Sequence, residues 1–531
     1  MDADVVVIGA GIAGGLVAHR LAGAGMKVLM LEAGPDVTRA DLHVKFLERR
    51  SYTPVALDPR SDYAPTTHPD HPDAYLINVG SARYTTHMTK AVGGNTWHWT
   101  ARCSRFEDDE FKLKSTYGVG VDWPISYADI EPYYVEAEHA LGVTAPSSGA
   151  SAQRRSKPTP MQDFEWPYLY TSLRETLAHY GLMVETEAFA RNAREYDGRP
   201  ACQGNNTCWP LCPIGAQYSG IVHVDKARAL GVEVRSESLV TRLEMNTERR
   251  VESAWYRRPD GSSGQVTAKA FVIAANGMET PKILLASADE SQPGGIANSS
   301  DQVGRNFMDH ATVKTSLMSR DPLYPGRGPV AFGRIGLSGD KSYRRDRGAW
   351  GLSIENKMSV DAIAADILRE GLAGEALDSA LRFRAMRAFG LFSEVETLPD
   401  PGSRISLDWQ RRDSAGQPRM RVKFDISDYT SRGLDFAAGM HEAVAAKIGV
   451  LRRETLKGVY FGHHPTGAAR MGSDARASVV DPFCRAHDHP NLYIAGSSVF
   501  PTLGGANGPT LTIAALALRT ADAILSARGH Q

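Results

Sequence analysis

Hydrophobic and polar positions at the start of the chain follow the pattern of a βαβ unit. Residues 5–8 form a continuous apolar run, which is typical of a strand buried on both faces of a parallel sheet. A helical pattern of apolar positions follows, and a second apolar run, residues 27–31, ends at Glu32. The pattern therefore predicts an α/β fold with a Rossmann-like domain at this end of the chain.

The turn between the first strand and the helix carries Gly9, Gly11 and Gly14 in G-x-G-x-x-G spacing. The first glycine permits the tight bend, the second lets a pyrophosphate approach the backbone, and the third lets the helix pack against the strand. Glu32 stands where an acid accepts hydrogen bonds from ribose hydroxyls. The sequence thus predicts a dinucleotide site, although the motif alone does not separate FAD from NAD.

The far end of the chain has a second strand, turn and helix pattern. Residues 491–497 are typical of a buried strand that ends at Gly496, residues 501–509 are rich in turn formers, and a helix is predicted from Thr510 to about Ser526. A flavoprotein that closes its dinucleotide domain with its C-terminus has this arrangement, whereas an NAD-binding domain does not need it. We therefore expect FAD.

Two patterns in the second half of the chain predict elements outside this domain. Residues 404–409 and 419–424 alternate in polarity across the turn 413–416, which predicts a β-hairpin. Residues 362–387 are helical in pattern and carry an apolar stripe. Packing in a core explains that stripe, and a surface that faces a partner or a membrane is the alternative.

Composition places the chain among ordinary globular proteins of more than one domain. Its 531 residues exceed what one hydrophobic core usually supports. Apolar residues make up 42% and charged residues 23%, and the formal net charge of −1 gives no general attraction to nucleic acid or to an anionic membrane. We therefore expect two domains.

Neither a transmembrane segment nor a signal peptide is expected. The longest apolar stretches, such as residues 511–518, fall short of the roughly 20 residues that a spanning helix needs. The chain opens Met1-Asp2-Ala3-Asp4 without a positively charged region before its first strand. Export as the passenger of a signal-bearing partner is left open.

Three of the five cysteines, Cys202, Cys208 and Cys212, lie within eleven residues of a loop rich in Gly, Asn and Pro. Thiolate sets with irregular spacing suit iron–sulfur clusters. A tetrahedral zinc ion needs a fourth ligand, for which His223 is the nearest candidate. The sequence therefore favours an iron–sulfur cluster, with zinc or a disulfide as alternatives.

Six segments of the chain, in this order, resemble the glucose–methanol–choline (GMC) oxidoreductase family. They are the Gly9 motif, residues 91–99, residues 274–281, residues 303–310, residues 463–472 and residues 507–518. The resemblance covers nearly the whole chain and implies a GMC fold: a Rossmann-like FAD-binding domain and a discontinuous substrate domain on an antiparallel sheet. The implied FAD-binding domain comprises residues 1–45, 80–110, 200–310 and 461–531, and the implied substrate-binding domain comprises residues 46–79, 111–199 and 311–460.

Within that family, the chain is most similar to the flavoprotein subunits of bacterial membrane-linked sugar dehydrogenases. Residues 117–124, 192–200, 202–208 and 212–216 carry this similarity. It implies a [3Fe–4S] cluster at the three clustered cysteines, a small chaperone-like subunit, and a cytochrome or quinone-linked acceptor. It also implies a periplasmic or membrane-associated location through a partner subunit, or a cytoplasmic one if the chain acts alone.

The resemblance places the family's catalytic base at His464, immediately before Pro465. A base is needed because hydride can leave a hydroxyl-bearing carbon only if the hydroxyl loses its proton, and a neutral imidazole suits that role. His463 faces the opposite way if the segment is extended. A His-His pair can also indicate a metal site, but no further ligand lies nearby in sequence.

The family's second catalytic residue, a His or Asn at the start of the last helix, is ambiguous here. Counting backward from Leu511 gives Gly508, whereas counting forward from Pro501 gives Asn507. We choose Asn507, whose amide can hydrogen-bond the substrate oxygen. A simple Asn-Gly turn is the alternative.

The remaining predicted cofactor contacts come from the same resemblance. Gly93 and Gly94 provide a close backbone approach, Asn95 can donate to the flavin edge, and Ala275 and Gly496 close the site. His98 matches the position at which pyranose oxidases attach FAD covalently, although packing between Trp97 and Trp99 explains it equally well. The chain departs from many family members at Ala468, where a threonine often stands beside the flavin.

The predicted function is an FAD-dependent dehydrogenase that oxidises a hydroxyl of a sugar or sugar derivative, because a one-electron relay beside the flavin implies an external acceptor. Glucose, fructose, gluconate and glycosides oxidised at the 3-position stay open as substrates. His463 stands where related glucose and fructose enzymes often have Asn, and this difference bears on the oxidised carbon and on the preferred sugar. The rival interpretations are an oxygen-using pyranose or glycoside oxidase and an electron-transfer flavoprotein subunit without its own substrate.

Overall fold

The computed structural model describes residues 1–49, 75–86, 88–147, 153–162, 164–336, 340–458 and 464–528. Its helices are α1 (Ile12–Gly23), α2 (Arg39–Arg49), α3 (Asp108–Phe111), α4 (Leu113–Tyr117), α5 (Tyr127–Leu141), α6 (Tyr168–Ala178), α7 (Ile221–Ala229), α8 (Asn276–Ala286), α9 (Val360–Arg369), α10 (Gly374–Ala385), α11 (Asp428–Ile448) and α12 (Thr510–Arg528). Its strands are β1 (Ala3–Ile8), β2 (Val28–Leu31), β3 (Leu76–Asn78), β4 (Met183–Thr186), β5 (Glu233–Arg235), β6 (Leu239–Met245), β7 (Val251–Arg257), β8 (Ser263–Ile273), β9 (Ala311–Ser319), β10 (Ala331–Gly336), β11 (Leu352–Glu355), β12 (Ala388–Val395), β13 (Arg404–Arg412), β14 (Pro418–Lys423), β15 (Val450–Gly458) and β16 (Leu492–Ile494).

The dinucleotide-binding sheet has seven strands in the order β5-β2-β1-β8-β7-β6, and β16 also pairs with β8. β5, β2, β1, β8 and β16 are parallel, whereas β7 and β6 extend the sheet as antiparallel strands. The continuous apolar runs of β1 and β2 are fully buried, as strands covered on both faces require. Helices α1, α7 and α12 pack beside this sheet. The predicted Rossmann-like domain and its C-terminal strand and helix are confirmed.

A second sheet of six antiparallel strands follows the order β15-β9-β12-β11-β10-β4. One of its faces packs on α11 and α6 and forms a separate hydrophobic core. Residues on its strands alternate between that core and the opposite face, which is the period of a half-buried strand. This sheet is the antiparallel sheet predicted for the substrate domain.

A third, three-stranded sheet has the order β13-β14-β3. β13 and β14 pair antiparallel, with Ile405 opposite Val422, so the hairpin prediction is confirmed. β3 joins β14 in parallel. This small sheet packs on Met278 of α8 and therefore connects the hairpin to the dinucleotide-binding domain.

Two features differ from the expected plan. Residues 111–145, assigned from sequence to the substrate domain, contribute α5 to the core of the dinucleotide-binding domain, where it packs on α12. The single helical stretch expected over 362–387 is two helices, α9 and α10, because Gly371 and Gly374 adopt left-handed backbone conformations between them.

Helix α12 is long and apolar enough to span a membrane, but 61% of its most apolar window is buried inside the protein, as in a core helix.

Candidate active site

The glycine-rich turn joins β1 to α1 and leaves space that side chains would fill. Gly9 has φ +104°, and a Cβ there would lie 2.5 Å from the Ala274 carbonyl oxygen. A Cβ on Gly14 would lie 2.0 Å from the Gly9 carbonyl oxygen, so the third glycine permits the close contact of helix and strand. Gly11 faces Gly94, whose Cα would lie 3.9 Å from its Cβ. Gly9 and Gly14 therefore each have a steric reason to be glycine, whereas a Cβ on Gly11 would make only an ordinary contact with Gly94 at the cavity wall.

Glu32 closes this cradle from the end of β2. Its Oε2 accepts a hydrogen bond from the Ala10 amide and its Oε1 accepts one from the Gly34 amide, both at 2.9 Å. Burial raises the pKa of the Glu32 carboxyl, although these amide donors oppose that shift. The two bonds fix Glu32 beside the glycine turn, where a ribose is expected.

An elongated cavity of about 200 Å³ follows the carboxyl ends of the parallel strands. The predicted cofactor residues that line it are Gly9, Gly11, Glu32, Gly94, Asn95, Ala275 and Gly496, and His464 lines it as well. Within the described part of the chain, Gly14, Gly93, His98 and Asn507 are not among its lining residues. A glycine-walled cavity on a parallel sheet fits FAD, since backbone can approach the pyrophosphate closely.

The second glycine pair holds the loop that faces the glycine turn. The Gly93 amide donates to the Ala10 carbonyl at 2.8 Å, and a Cβ on Gly93 would lie 2.4 Å from the Trp97 indole nitrogen. Asn95 Oδ1 accepts a hydrogen bond from the Thr89 amide at 2.7 Å, which fixes the side-chain amide at the cavity wall. The loop thus presents Gly94 and Asn95 to the cavity, as predicted.

His98 lies behind this loop. Its buried Nδ1 is 2.8 Å from the Pro210 carbonyl oxygen and donates a hydrogen bond to it, which links the loop to the cysteine-containing segment. Trp99 makes a parallel link through its indole nitrogen to the Tyr218 carbonyl. Covalent attachment of FAD at His98 stays a prediction.

Two buried lysine–carboxylate pairs beside the cavity were not predicted. Lys90 and Glu279 line the cavity with their charged atoms 3.2 Å apart, and Lys282 contacts Asp413 at 2.9 Å next to them. Burial, followed by repulsion from Lys282, lowers the pKa of Lys90 to about 7, and burial raises the pKa of Glu279 to about 7. Glu279 lies within the family segment 274–281, and Lys90 directly precedes the family segment 91–99, so there was a reason in the sequence to examine both positions.

His464 is held by Asp309 and His310, which follow each other just before β9. The amides of His464 and His310 donate to Asp309 Oδ1 at 3.0 and 2.7 Å, and the Tyr84 hydroxyl donates to Oδ2 at 2.7 Å. Burial raises the pKa of Asp309 to about 7, and these three donors oppose the shift. Asp309 thus ties together two backbone segments that are 155 residues apart in sequence.

His310 fixes the tautomer of His464. His310 Nε2 lies 2.7 Å from the Gly505 carbonyl oxygen, which only accepts, so Nε2 carries the proton. In the neutral ring His310 Nδ1 then accepts a hydrogen bond from His464 Nδ1 at 2.9 Å. His464 Nδ1 is therefore protonated, and the lone pair of the ring lies on Nε2. Burial lowers the pKa of His464 well below its usual value, and His310 and Arg102 add to the shift.

A hydrogen-bonded triad explains this group better than a metal site does. Ligand atoms of Asp309, His310 and His464 lie within 4.8 Å of one another. However, Asp309 Oδ1 already accepts two amides, His310 Nε2 already donates to a carbonyl, and the two Nδ1 atoms share one proton. The metal alternative to a histidine pair therefore loses support. His463 itself lies outside the described residues.

A carboxylate and a guanidinium stand behind the imidazole. Glu394 Oε1 on β12 lies 3.6 Å from His464 Nδ1, and its Oε2 accepts from Arg102 at 3.0 Å. The side chains of Glu394 and Arg102 are both largely buried. The negative charge of Glu394 at this distance favours an imidazolium, whereas the Arg102 guanidinium paired with Glu394 lowers the pKa of His464.

The loop before α12 approaches the base through Gly508. A Cβ on Gly508 would lie 3.8 Å from His464 Nε2, so the backbone of this residue faces the lone pair. Asn507 is half-buried, and its backbone amide donates a hydrogen bond to the Gly504 carbonyl at 3.3 Å. The catalytic role of Asn507 stays a prediction, and the geometry puts the neighbouring Gly508 at the base.

The three clustered cysteines surround a separate small cavity with Arg191 at its wall. All three are free thiols, and the Gly204 amide donates to Cys202 Sγ at 3.5 Å. Burial raises the pKa of Cys202, and Arg191 opposes that shift. His223, the candidate fourth zinc ligand, lies in α7, and its Nδ1 is hydrogen-bonded to the Tyr218 hydroxyl at 2.9 Å.

The lining of this small cavity bears on what the cysteines can bind. Within the described residues, Cys202, Cys208 and Cys212 line it without any histidine, aspartate or glutamate beside them. A tetrahedral zinc ion in a structural site takes four protein ligands, so the fourth side chain is not provided by this lining. The iron–sulfur cluster at these three cysteines stays a prediction.

A glycine cradle, its cavity and an oriented imidazole in that cavity define a dinucleotide-dependent oxidoreductase. The family model described as GMC oxidoreductase matches residues 399–517, and one described as lycopene cyclase protein matches residues 4–55, the amino-terminal βαβ region. The chain is 38% identical to the fructose dehydrogenase large subunit of Gluconobacter japonicus, over 99% of this chain and 98% of that protein. The chain therefore belongs to the GMC oxidoreductase family, which confirms the resemblance.

Two further comparisons agree with this membership. The chain is 29% identical to the 2-methyl-1,2-propanediol dehydrogenase of Mycolicibacterium austroafricanum, over 98% of this chain and 95% of that protein. The pyridoxine 4-oxidase structure from Mesorbium loti superposes with a TM-score of 0.65 at 19% identity, over 98% of this chain and 99% of that one, which supports the fold. The chain is an FAD-dependent enzyme of the type that oxidises CH–OH groups of sugars or alcohols.

Eight residues predicted for the site line the cavity, His464 among them, whereas the groups around His464 were not predicted. Asp309 and His310 end the family segment 303–310, so a signal for them existed. Glu394 and Arg102 lie in segments that matched no motif. Their place beside His464 depends on the pairing of β12 in the second sheet, which no local pattern encodes.

Proposed function

We propose that this protein is a sugar dehydrogenase that oxidises one hydroxyl of a sugar or sugar derivative and passes the electrons to an external acceptor. The observation that carries the proposal is the tautomer of His464, whose Nε2 lone pair results from the bond between its Nδ1 and His310. A base held in this form removes the hydroxyl proton without a preceding proton shift.

In this proposal, different residues of the chain hold the cofactor and remove the substrate proton. Glu32 and the glycine turn would hold the ADP part of FAD, while Gly94 and Asn95 would contact the flavin. When bound, FAD supplies the acceptor for the hydride that leaves the hydroxyl-bearing carbon. His464 Nε2 takes the hydroxyl proton, and Glu394 stabilises the positive charge that then develops on the ring.

The electron path in this proposal leads through the clustered cysteines. Cys202, Cys208 and Cys212 would hold a [3Fe–4S] cluster, which supplies a one-electron relay when bound. The His98 to Pro210 hydrogen bond supports the path, because it connects the loop at the cavity to the cysteine segment. A dehydrogenase is favoured over an oxidase on this basis.

Partners and location are part of the same proposal. The Gluconobacter japonicus relative is named as a large subunit, a name that places it in an assembly. By analogy, this chain would act with a small chaperone-like subunit and pass electrons to a cytochrome or a quinone-linked acceptor. It would then be periplasmic or membrane-associated through its partner.

Anaerobic flavin reduction tests the proposed activity. Purified holoenzyme is mixed with D-fructose, D-glucose, D-gluconate or a methyl glycoside, and the loss of the oxidised flavin absorbance is followed. We expect at least one sugar to reduce the flavin and turnover to be faster with a dye acceptor than with oxygen. Rapid peroxide formation would instead favour an oxidase, and a flavin that no member of the panel reduces would favour the electron-transfer subunit.

Substitution of the base separates His464 from the rest of the site. The His464→Ala variant should retain FAD and lose flavin reduction by about 100-fold or more, the usual contribution of a general base. His441→Gln is the matched control, because His441 is also buried, and it bonds Thr315 and Ser393, none of which is among the described residues that line the cavity. Near-normal reduction in His464→Ala excludes this histidine as the base.

A further inference from the structure

The second sheet has a polar face opposite its hydrophobic core. Residues that pair directly across strands share a face, and the register pairs Glu394 with Thr312, Phe392 with both Lys314 and Ser353, and Gly390 with Glu355. Their neighbours Val313, Leu352, Ile354 and Leu391 point to the core instead. Polar groups from β9, β11 and β12 therefore lie together on one surface.

This polar face begins at the catalytic base and opens toward solvent. Glu394 Oε1 lies 3.6 Å from His464 Nδ1, and Arg102 joins Glu394 to Ser353, whose hydroxyl it contacts at 2.6 Å. Side-chain exposure rises from 7% at Glu394 and 14% at Arg102 to 29% at Glu355 and 41% at Lys314. A substrate whose reacting hydroxyl is at His464 would extend along these residues.

The charges on this face balance. Arg102 contacts the carboxylates of Glu394 and Glu187, and Lys314 lies 3.6 Å from Glu355. Lys357 lies close enough to Lys314 and Glu355 that both affect its pKa, which burial lowers to about 8. The register also places Arg334 and Arg452 and the carboxylates of Glu185 and Glu454 on this face, so it carries five cations and five carboxylates in all. A balanced set of charged donors and acceptors suits neutral hydroxyls, which both donate and accept, whereas an anionic ligand needs an excess of positive charge.

We infer that Arg102, Ser353, Glu355 and Lys314 form a subsite for the non-reacting hydroxyls of a neutral, polyhydroxylated substrate. This inference rests on the proposed function and names the part of the chain that selects a sugar over a simple alcohol. The subsite contacts the substrate away from the reacting carbon. It therefore contributes to binding more than to the rate of the chemical step.

Steady-state kinetics of Glu355→Gln and Lys314→Met test the subsite. The probe is the sugar of the panel with the largest kcat/KM, with a dye as acceptor. Loss of a hydrogen bond to a charged group should raise KM about tenfold or more while kcat changes little. In the wild type, neutral D-fructose or D-glucose should be used more efficiently than anionic D-gluconate by a similar factor.

The control is an ion pair on the other face of the same sheet. Arg453 on β15 and Glu442 on α11 lie 2.7 Å apart with comparable exposure, so Arg453→Met and Glu442→Gln should leave KM unchanged. An unchanged KM in Glu355→Gln and Lys314→Met, or a preference for D-gluconate, overturns the subsite. Absence of flavin reduction by every sugar in the wild type overturns the proposed function instead, so the two failures are distinguishable.

Discussion

Around His464, three neighbours set what the imidazole can do. His310 accepts its Nδ1 proton, Asp309 accepts its backbone amide, and Glu394 faces it at 3.6 Å. Burial keeps the ring neutral at ordinary pH because its pKa is far below the usual value. A buried neutral base beside a carboxylate is well suited to take up a proton only when the substrate provides one.

The pH profile of the enzyme follows from this arrangement. Because the pKa of His464 is lowered, the base is neutral over the neutral range, and activity should fall only as acid protonates it. Replacing Glu394 by Gln removes the charge that stabilises the imidazolium, so the acid limb of kcat/KM should move to lower pH. The rate of flavin reduction should drop about tenfold because the base is weaker.

Profiles of kcat/KM against pH in the wild type and in Glu394→Gln measure this effect. Glu442→Gln, a carboxylate on α11 away from the cavity, serves as the control. A profile in Glu394→Gln that coincides with that of the wild type would show that the carboxylate does not act on His464.

The sequence predicted His464 as the base, a role that stays a prediction, but it did not predict the groups that surround this imidazole. His464 lies in a segment with a recognisable motif, so its role could be predicted from local sequence. Glu394 and Arg102 come to the base from other strands and loops, and their pairing depends on strand register over hundreds of residues. Long-range contacts of this kind leave no local pattern.

Among the elements, the loop between β16 and α12 has two glycines in the left-handed backbone conformation close to His464. Gly504 has φ +83° and Gly505 has φ +66°, and a Cβ on Gly504 would lie 2.1 Å from the Phe106 ring. The Gly505 carbonyl accepts the bond that fixes the tautomer of His310. The conformation of this loop therefore determines which ring nitrogens of His310 and His464 carry the protons.

Substitution Gly504→Ala should disturb that loop. Left-handed backbone costs an L-residue about 1–2 kcal/mol, and crowding against Phe106 adds about 1–3 kcal/mol. We expect a lower Tm and a loss of flavin reduction beyond what the lower stability explains. Gly181→Ala is the control, since Gly181 also has positive φ (+72°) but nothing within 4 Å of its Cβ position.

Thermal unfolding and stopped-flow flavin reduction are measured for both glycine variants. They separate the effect of crowding against Phe106 from the effect of placing alanine at a positive φ. Equal losses of Tm and rate in Gly504→Ala and Gly181→Ala would contradict a specific role of the loop. The glycines themselves could be predicted as turn formers from sequence. Their contact with Phe106 and His310 could not, because those residues lie far away in the chain.

Elements defined by a strong local pattern were predicted close to their observed bounds. β1, α1, β2, β16 and α12 have continuous apolar runs or caps of known type, and the hairpin β13–β14 has a clear turn. The α9 and α10 pair was predicted as one helix, because its break depends on two glycines inside an otherwise helical pattern. Short-range signals therefore gave the elements but not every break between them.

In the whole molecule, the cofactor domain is assembled from segments at both ends and in the middle of the chain. The resemblance to a family predicted this discontinuous plan, which periodicity alone did not. Residues 111–145 were assigned to the substrate domain, yet α5 packs on α12 in the core of the dinucleotide-binding domain. The pattern of an amphipathic helix predicts that one of its faces is buried, but it does not identify the element against which that face packs.

The connection between the two halves of the proposed electron path is also a property of the whole molecule. The cavity loop and the cysteine segment meet through the His98 to Pro210 bond. Cys208→Ser should therefore leave FAD bound and flavin reduction by sugar intact, because the base and the cavity do not contact Cys208. The same variant should lose iron, since serine replaces a thiolate ligand, and turnover with an external acceptor should fall about tenfold or more.

Iron and acid-labile sulfide analysis, electron paramagnetic resonance and single-turnover flavin reduction together measure these separate effects. Cys484→Ala is the matched control, because Cys484 is equally buried but lies outside the cluster of three. Iron that is absent from the wild type, or that persists unchanged in Cys208→Ser, would contradict the cluster. In that case electrons would leave the flavin directly, and the oxidase interpretation would explain the enzyme better.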